Sequence, residues 1–147
     1  MVREEILEQF SKLLDVMNDL REKCPWDMKQ TWESIRVLSI EEVHELSDAI
    51  MDNNPTEVRK ELGDILLHIV FYSRIASEHG YFDVGDVCQS LIEKLIRRHP
   101  HIYGNTQVNG EEEVLQNWEQ IKLAEKGNKK NGLLDGVPKG LNSIVKA

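Results

Sequence analysis

Two pairs of acidic residues in this sequence have a spacing that could bind a metal ion. Glu42 and Glu45 form the first pair, with two residues between them. Glu61 and Asp64 form the second pair, with the same spacing. Residues three apart in an α-helix lie on one side of it, so each pair can present both carboxylates to one point. Four carboxylates brought together repel one another unless a cation lies among them, and oxygen ligands favour Mg²⁺ or Mn²⁺ over Zn²⁺.

Basic and aromatic side chains that could bind a phosphate chain follow later in the sequence. A protein-bound Mg²⁺ ion usually keeps positions for water and phosphate oxygens, so cations are expected near such a site. Lys94 and Arg98 are four apart on one predicted helix face, with Arg97 beside them. Trp118 and Lys122 have the same spacing on the next predicted helix. The structural alternatives are an exposed basic face for the first group and a core aromatic for Trp118.

Both acidic pairs lie in segments with helical periodicity that a short linker joins. Ser39 precedes the first pair as a candidate N-cap, and the predicted helix continues to about Met51. Asn54 and Pro55 match the N-cap and first position of the next helix, which we expect to end near His79. Each acidic pair borders the apolar stripe of its helix instead of lying opposite to it. A hairpin of these two helices would bring the four carboxylates together.

The rest of the chain also shows helical periodicity and contains no convincing strand. Amphipathic helices are predicted over residues 3–20, 84–99 and 111–126, with a short helical piece over 31–38. We therefore predict an all-α domain over residues 1–126, most simply a four- to five-helix bundle. Residues 127–147 are expected to form a loop-like tail that leads to a truncated or disordered remainder, with one more helix beginning near Leu141. The predicted core stripe of the 55–79 helix contains Val58, Leu62, Ile65, Leu66, Ile69, Ile75 and Ala76.

The composition excludes some classes of function. The formal net charge of -8 argues against nonspecific binding to a nucleic acid polymer or to an anionic membrane, because both require an excess of Lys and Arg. No apolar run approaches the length of a membrane span, and the N-terminus lacks the apolar core of a signal peptide. The two cysteines, Cys24 and Cys88, indicate reduced thiols in a cytoplasmic protein and not a disulfide framework.

Other interpretations of the acidic residues have weaker support. Glu42 could complete a capping box with Ser39, and the acidic residues together could form a solvated face. A di-iron site in a helical bundle needs two Glu-x-x-His motifs. This sequence has one, Glu41 to His44, and the second candidate position carries Asp64. No Gly-rich phosphate-binding loop is present.

Five blocks of sequence, in order, resemble the MazG family of nucleoside triphosphate pyrophosphohydrolases. The blocks are CPWDMKQTWESI, EEVHELSDAI, ELGDILLHIVF, EKLIRRHPHIYG and NWEQIK. Each block alone is a weak signal, but all of them in this order, at intervals that suit the family, make a specific match. The resemblance covers roughly Leu13 to Lys126.

The resemblance implies a fold, an activity and a set of site residues. The fold is all-α, with helices of two subunits packed together in a dimer or a larger assembly. The activity is hydrolysis of nucleoside triphosphates to the monophosphate and pyrophosphate with Mg²⁺ or Mn²⁺. Many members carry two such modules, one of them silent, so a silent nucleotide-binding or dimerisation module is the alternative. The family motifs assign metal binding and catalysis to Glu42, Glu45, Glu61 and Asp64, and substrate binding to Lys94, Arg98, Trp118 and Lys122, with Arg97 adjoining.

Overall fold

The structure, a computed structural model, describes residues 1–127. This part of the chain contains five long helices, two helices of a single turn and no strand, which confirms the predicted all-α class. The predicted tail and the helix near Leu141 lie outside the described residues. No helix in the described range combines the length and the apolar character needed to cross a membrane. The helices are α1 (Arg3–Lys23), α2 (Pro25–Met28), α3 (Trp32–Met51), α4 (Pro55–Glu78), α5 (Val84–Arg98), α6 (Pro100–Tyr103) and α7 (Glu111–Gly127).

The first acidic pair lies on one continuous helix, so the predicted helix start at Ser39 is wrong. Thr31 caps α3 instead, accepting a hydrogen bond from the backbone N–H of Ser34 at 3.2 Å. The hydroxyl of Ser34 accepts one in return from the backbone N–H of Thr31 at 2.8 Å. Inside the helix, the hydroxyl of Ser39 donates to the carbonyl of Ile35, one turn earlier. Its hydrogen-bonding capacity is therefore used without a capping role. With no Gly or Pro between Trp32 and Met51, nothing interrupts the helix.

The hairpin of α3 and α4 forms as its turn residues predict. Asn54 caps α4 by accepting from the backbone N–H of Glu57 at 3.3 Å, and Pro55 occupies the first helical position. His79 ends the helix, and Gly80 follows with a φ of +72°, a conformation that glycine adopts without steric cost. Because residues 52–54 alone separate the two helices, α3 and α4 pack side by side in opposite directions.

Residues Met1–Gln89 form one compact unit, and the described residues from Ser90 to Gly127 belong to a second. Each unit is described by itself, and the predicted single domain over residues 1–126 stays a prediction. In the first unit, the core lies at the end of the hairpin where α3 begins and α4 ends, with α1 packed against it. Its buried members are Met17, Ile35, Val70, Phe71 and Ile75.

The predicted core stripe of α4 is only partly buried. Ile75 and Ala76 are inside, but Leu62, Leu66 and Ile69 are 52%, 38% and 43% exposed. Helical periodicity identifies an apolar face without saying what covers it, and the core of the first unit covers only one end of α4. An apolar surface is therefore left on the hairpin beside the acidic pairs.

Arg21 stabilises the short segment between α1 and α3 through hydrogen bonds. Its guanidinium binds both carboxylate oxygens of Glu78, at 2.8 and 2.9 Å. Its Nη1 donates to the backbone carbonyls of Asp27, Met28 and Gln30, at 2.7, 3.2 and 2.9 Å. The hydrogen bond from Arg21 is the main cause of a lowered pKa at Glu78. One side chain thus joins α1, the segment around α2 and the end of α4.

We predict that Glu78→Gln lowers the free energy of unfolding at pH 7 by about 1–2 kcal/mol, since a charge-assisted hydrogen bond is weakened at a partly exposed site. Because the folded-state pKa of Glu78 lies below its ordinary value of 4.5, this stabilisation exists above that value. It disappears as the pH falls through the folded-state pKa. Urea unfolding followed by circular dichroism at pH 7 and below pH 4.5 measures the change.

Glu22→Gln is the matched control for this prediction. Glu22 is 62% exposed and lies 3.5 Å from Arg74, so its loss should cost little at either pH. Equal losses in the two variants would contradict a special role for the Arg21–Glu78 pair.

Candidate active site

Three of the four predicted acidic residues meet between α3 and α4. One carboxylate oxygen from each of Glu42, Glu45 and Glu61 lies within 4.8 Å of the others. Glu61 is 4% exposed, Glu42 is half-buried and Glu45 is exposed, so the cluster has a buried side and a side open to solvent. This acid cluster could hold a metal ion with a position left for a ligand from solution.

The carboxylates of the acid cluster suit a cation, because they are poorly compensated by the protein. The Oε2 atoms of Glu42 and Glu61 are buried and have no hydrogen-bond partner in the described part of the chain. Lys60 lies 3.8 Å from Glu61 but is itself 66% exposed, so it neutralises little. Buried carboxylate oxygens without a partner are costly, and a divalent cation bound by the acid cluster would offset this cost.

The same crowding changes the protonation of the acid cluster. The pKa of Glu42 is raised to about 8, chiefly by a hydrogen bond with Glu61, then by burial and by the charges of Asp64 and Glu45. Near neutral pH, Glu42 therefore keeps a proton that it shares with Glu61 when no metal is bound. A cation entering the site would displace that proton.

Asp64 stands beside the acid cluster and not within it. It is half-buried, and its charge acts on Glu42, but none of its oxygens belongs to the group that lies within 4.8 Å. The structure thus brings together three of the four predicted ligands and leaves the fourth within electrostatic range.

A polar group that the sequence interpretation missed lies one helical turn from the acid cluster. The hydroxyl of Ser39 lies 2.9 Å from Nδ1 of His68 and 2.6 Å from the hydroxyl of Tyr72. His68 is 8% exposed, and burial lowers its pKa even though the charge of Asp64 opposes this change. The available signal was a Ser, a His and a Tyr on the two faces that the hairpin joins, but Ser39 was interpreted as a cap.

The predicted basic residues belong to the second unit, where two of them already have a carboxylate partner. Arg97 and Arg98 both bind Glu125 of α7, and Arg98 does so at 3.1 Å. These two hydrogen bonds, that from Arg97 first, lower the pKa of Glu125. Lys94 is half-buried on the same helix as the two arginines. Glu125 therefore fixes the positions of both guanidinium groups.

Trp118 and Lys122 contact each other on α7. The ammonium nitrogen of Lys122 lies 4.8 Å from the centre of the Trp118 ring, a cation–π geometry, and 3.5 Å from Glu119. The indole N–H of Trp118 is buried without a hydrogen-bond partner among the described residues. A tryptophan that serves only as a core aromatic usually has a partner for its buried N–H group. The N–H group of Trp118 has none among the described residues and is available to a ligand.

We predict that metal-free protein loses stability as the pH rises from about 5 to 8. The folded state keeps the proton of Glu42 up to a pKa of about 8, whereas the unfolded state releases it near 4.5, so folding binds a proton in this window. Glu42→Gln should remove this loss and stabilise the metal-free protein at pH 8 by on the order of 1 kcal/mol. Urea unfolding in the presence of a chelator measures it.

Glu41→Gln, at an exposed position outside the acid cluster, is the control and should leave the pH dependence unchanged. A wild-type stability that is flat from pH 5 to 8 would contradict the shared proton.

Comparison with known proteins agrees with the resemblance found in the sequence. Residues 30–103, half of the chain, match the MazG nucleotide pyrophosphohydrolase domain. The matched range contains all four acidic residues as well as Lys94, Arg97 and Arg98, but it ends before α7.

Two curated relatives are similar over most of this chain. A protein of Escherichia coli (strain K12) named nucleoside triphosphate pyrophosphohydrolase is 39% identical over 145 residues, which cover 96% of this chain and 55% of that protein. A protein of Thermotoga maritima named nucleoside triphosphate pyrophosphohydrolase/pyrophosphatase MazG is 46% identical over 130 residues, which cover 87% of this chain and 49% of that protein. This chain spans about half the length of these two relatives.

A solved structure supports the fold. The crystal structure of a mazG-related protein from Thermotoga maritima superimposes with a TM-score of 0.67, covering 77% of this chain and 98% of that chain. At 24% identity, this likeness concerns the fold alone. The match to residues 30–103, together with the helical hairpin that carries the acid cluster, shows that the chain belongs to the MazG nucleotide pyrophosphohydrolase domain family.

Proposed function

We propose that this chain hydrolyses nucleoside triphosphates to nucleoside monophosphate and pyrophosphate, using Mg²⁺ or Mn²⁺. The observation that carries the proposal is the acid cluster of Glu42, Glu45 and Glu61, with two buried oxygens that lack partners. Membership of the MazG family and the names of the two relatives support the choice of reaction.

Each acidic residue has a distinct place in the proposed mechanism. Glu42 and Glu61, the more buried pair, would hold the metal ion, and Asp64 would add negative charge beside them. When bound, the ion supplies neutralisation of phosphate charge and lowers the pKa of a coordinated water. Glu45 is exposed, so it is our candidate for orienting or deprotonating the attacking water.

The proposed bond changes occur at the α-phosphorus. The water oxygen forms a bond to this atom, its proton passes to the base, and the bond to the oxygen bridging the α- and β-phosphates breaks. Pyrophosphate leaves with its negative charge balanced by cations, for which Lys94, Arg97 and Arg98 are candidates. Trp118 and Lys122 are candidates for binding the nucleotide.

We also propose that the active form is a homodimer or a larger homo-oligomer. Large apolar side chains stand exposed on both helices of the hairpin, close in sequence to the acidic pairs. An exposed apolar surface of this kind suits a second copy of the same chain. These residues are Ile40, Val43 and Ile50 on α3 and Leu62, Leu66 and Ile69 on α4.

We assign this activity to the cytoplasm, with a nucleotide and not a nucleic acid polymer as substrate. The two free thiols, Cys24 and Cys88, suit a reducing compartment, and the net charge of -8 disfavours nonspecific binding to a nucleic acid polymer.

We predict that Asp64→Ala lowers kcat by about 10- to 100-fold, because loss of a group that supports metal ligands typically costs this much. The helical fold should remain, as judged by circular dichroism. Asp48→Ala, at an exposed position on α3, is the control and should keep wild-type turnover. Wild-type rates in the Asp64 variant would remove this residue from the mechanism.

We predict that hydrolysis in ¹⁸O-labelled water places the label in the monophosphate and leaves pyrophosphate unlabelled, since attack occurs at the α-phosphorus. Chromatography and mass spectrometry of the products, for a panel of triphosphates with Mg²⁺, measure this. Labelled pyrophosphate or released orthophosphate would contradict the cleavage site. Nucleotide binding without turnover would instead identify a silent module, and iron in the purified protein would support a di-iron bundle.

We predict that Ile40→Asp and Ile69→Asp shift the protein toward monomers, because a charge on the buried part of an interface is strongly unfavourable. Sedimentation velocity over a range of protein concentrations measures the change. Val16→Asp, at an exposed apolar position of α1, is the control. A wild-type protein that sediments as a monomer at all concentrations would contradict the proposed assembly.

A further inference from the structure

We propose that Ser39, His68 and Tyr72 form a positioning group that holds α3 and α4 at the separation that a small divalent cation needs at the acid cluster. This inference rests on the proposed function, because it assigns these residues to the same metal site. None of the three touches the metal or the substrate in this proposal. They act through Glu42 on one helix and through Glu61 on the other.

The positioning group occupies the same helix faces as the acidic residues. Ser39 precedes Glu42 by three residues on α3, and His68 follows Glu61 by seven on α4. At 1.5 Å of rise per residue, Ser39 lies about 4.5 Å along the helix axis from Glu42. The group therefore separates the acid cluster from the buried core around Ile35 and Ile75. A change in helix separation at this level would reach the carboxylates directly.

The hydrogen bonds of Ser39 are all used at once. Its hydroxyl has one proton and two lone pairs, and it lies within hydrogen-bond distance of three partners. All three are satisfied when Ser39 donates to the carbonyl of Ile35 and accepts from the Tyr72 hydroxyl and from His68 Nδ1–H. A hydroxyl with three partners cannot rotate freely. Its contacts with His68 and Tyr72 therefore hold these two side chains of α4 against α3.

The positioning group also avoids adding charge beside the acid cluster. Burial keeps His68 neutral near pH 7 by lowering its pKa, and the other two members are hydroxyls. A charged pair at the same place would compete for the cation or for the carboxylates. A neutral network fixes the distance between the helices without altering the charge that binds the metal.

A cation that requires exact geometry reveals a positioning role. Mg²⁺ and Mn²⁺ prefer regular octahedral sites, and Mg²⁺ binds its ligands at about 2.0–2.1 Å, whereas Ca²⁺ accepts irregular sites at about 2.3–2.6 Å. Loosening the helices should therefore weaken Mn²⁺ binding more than Ca²⁺ binding. A purely structural role would lower stability and leave the ratio of the two affinities unchanged.

The test uses the full chain with Tyr72→Phe and Ser39→Ala, titrated with Mn²⁺ by electron paramagnetic resonance without nucleotide. Competition by Ca²⁺ gives the second affinity. We expect each variant to weaken Mn²⁺ binding by about 10-fold, as is typical when a group supporting a metal ligand is removed. Ca²⁺ binding should weaken less. Ser39→Thr, which keeps the hydroxyl, should retain most of the wild-type affinity.

Ser73→Ala is the matched control. Ser73 is also a buried serine, 3% exposed, but its hydroxyl donates to the carbonyl of Ile69 within α4 and links no second helix. Its Mn²⁺ affinity should stay within about twofold of wild type, with urea unfolding used to compare the stability of all variants.

Several outcomes would overturn the inference. They are unchanged Mn²⁺ affinity in both variants, an equal loss in Ser73→Ala, an equal loss for Ca²⁺ and Mn²⁺, or a wild-type protein that binds no Mn²⁺. A wild-type protein that binds Mn²⁺ but hydrolyses no triphosphate would contradict the proposed function alone, because the affinity ratios still test the positioning group.

Discussion

Electrostatic repulsion at one place between two helices is the constraint on which the rest of this structure depends. Glu42, Glu45 and Glu61 converge although each would be better solvated apart, and a shared proton relieves only part of the conflict. An arrangement this costly must be held by favourable interactions elsewhere. It is held by a hairpin whose two helices begin at strong caps, at Thr31 and Asn54, and whose far end is buried in an apolar core.

From the apolar core to the carboxylates, the polarity of the side chains between α3 and α4 increases in steps. Ile35 and Ile75 are fully apolar, the hydroxyl and imidazole groups of Ser39 and His68 come next, and the acids follow. Each step is more polar than the one before it, so hydroxyl and imidazole groups lie between this apolar core and the acid cluster. This gradation lets the hairpin carry carboxylates at one end while its other end packs into the apolar core.

The local sequence pattern was sufficient to predict some structural features and insufficient for others. Caps and helical periodicity depend on neighbours in sequence, so the class, the α4 boundaries and the convergence of Glu42 and Glu61 were predictable. Ser39 was misjudged because a serine in mid-helix can satisfy its hydroxyl with the preceding turn and with another helix. The pairing of Arg97 and Arg98 with Glu125 joins residues far apart in sequence, and spacing along one helix carries no information about it.

That pairing has a consequence for the kind of anion these arginines can bind. Glu125 forms ion pairs with both guanidinium groups. Because it belongs to the same chain, its effective concentration at the arginines is high. An anion with a single negative charge that replaces Glu125 gains no binding free energy, since it exchanges one ion pair with the arginines for a similar one. A chain of phosphates brings several charges at once and can displace Glu125 with a net gain. If these arginines bind the phosphate chain of the proposed substrate, Glu125 would therefore favour anions that carry several charges over small monovalent anions.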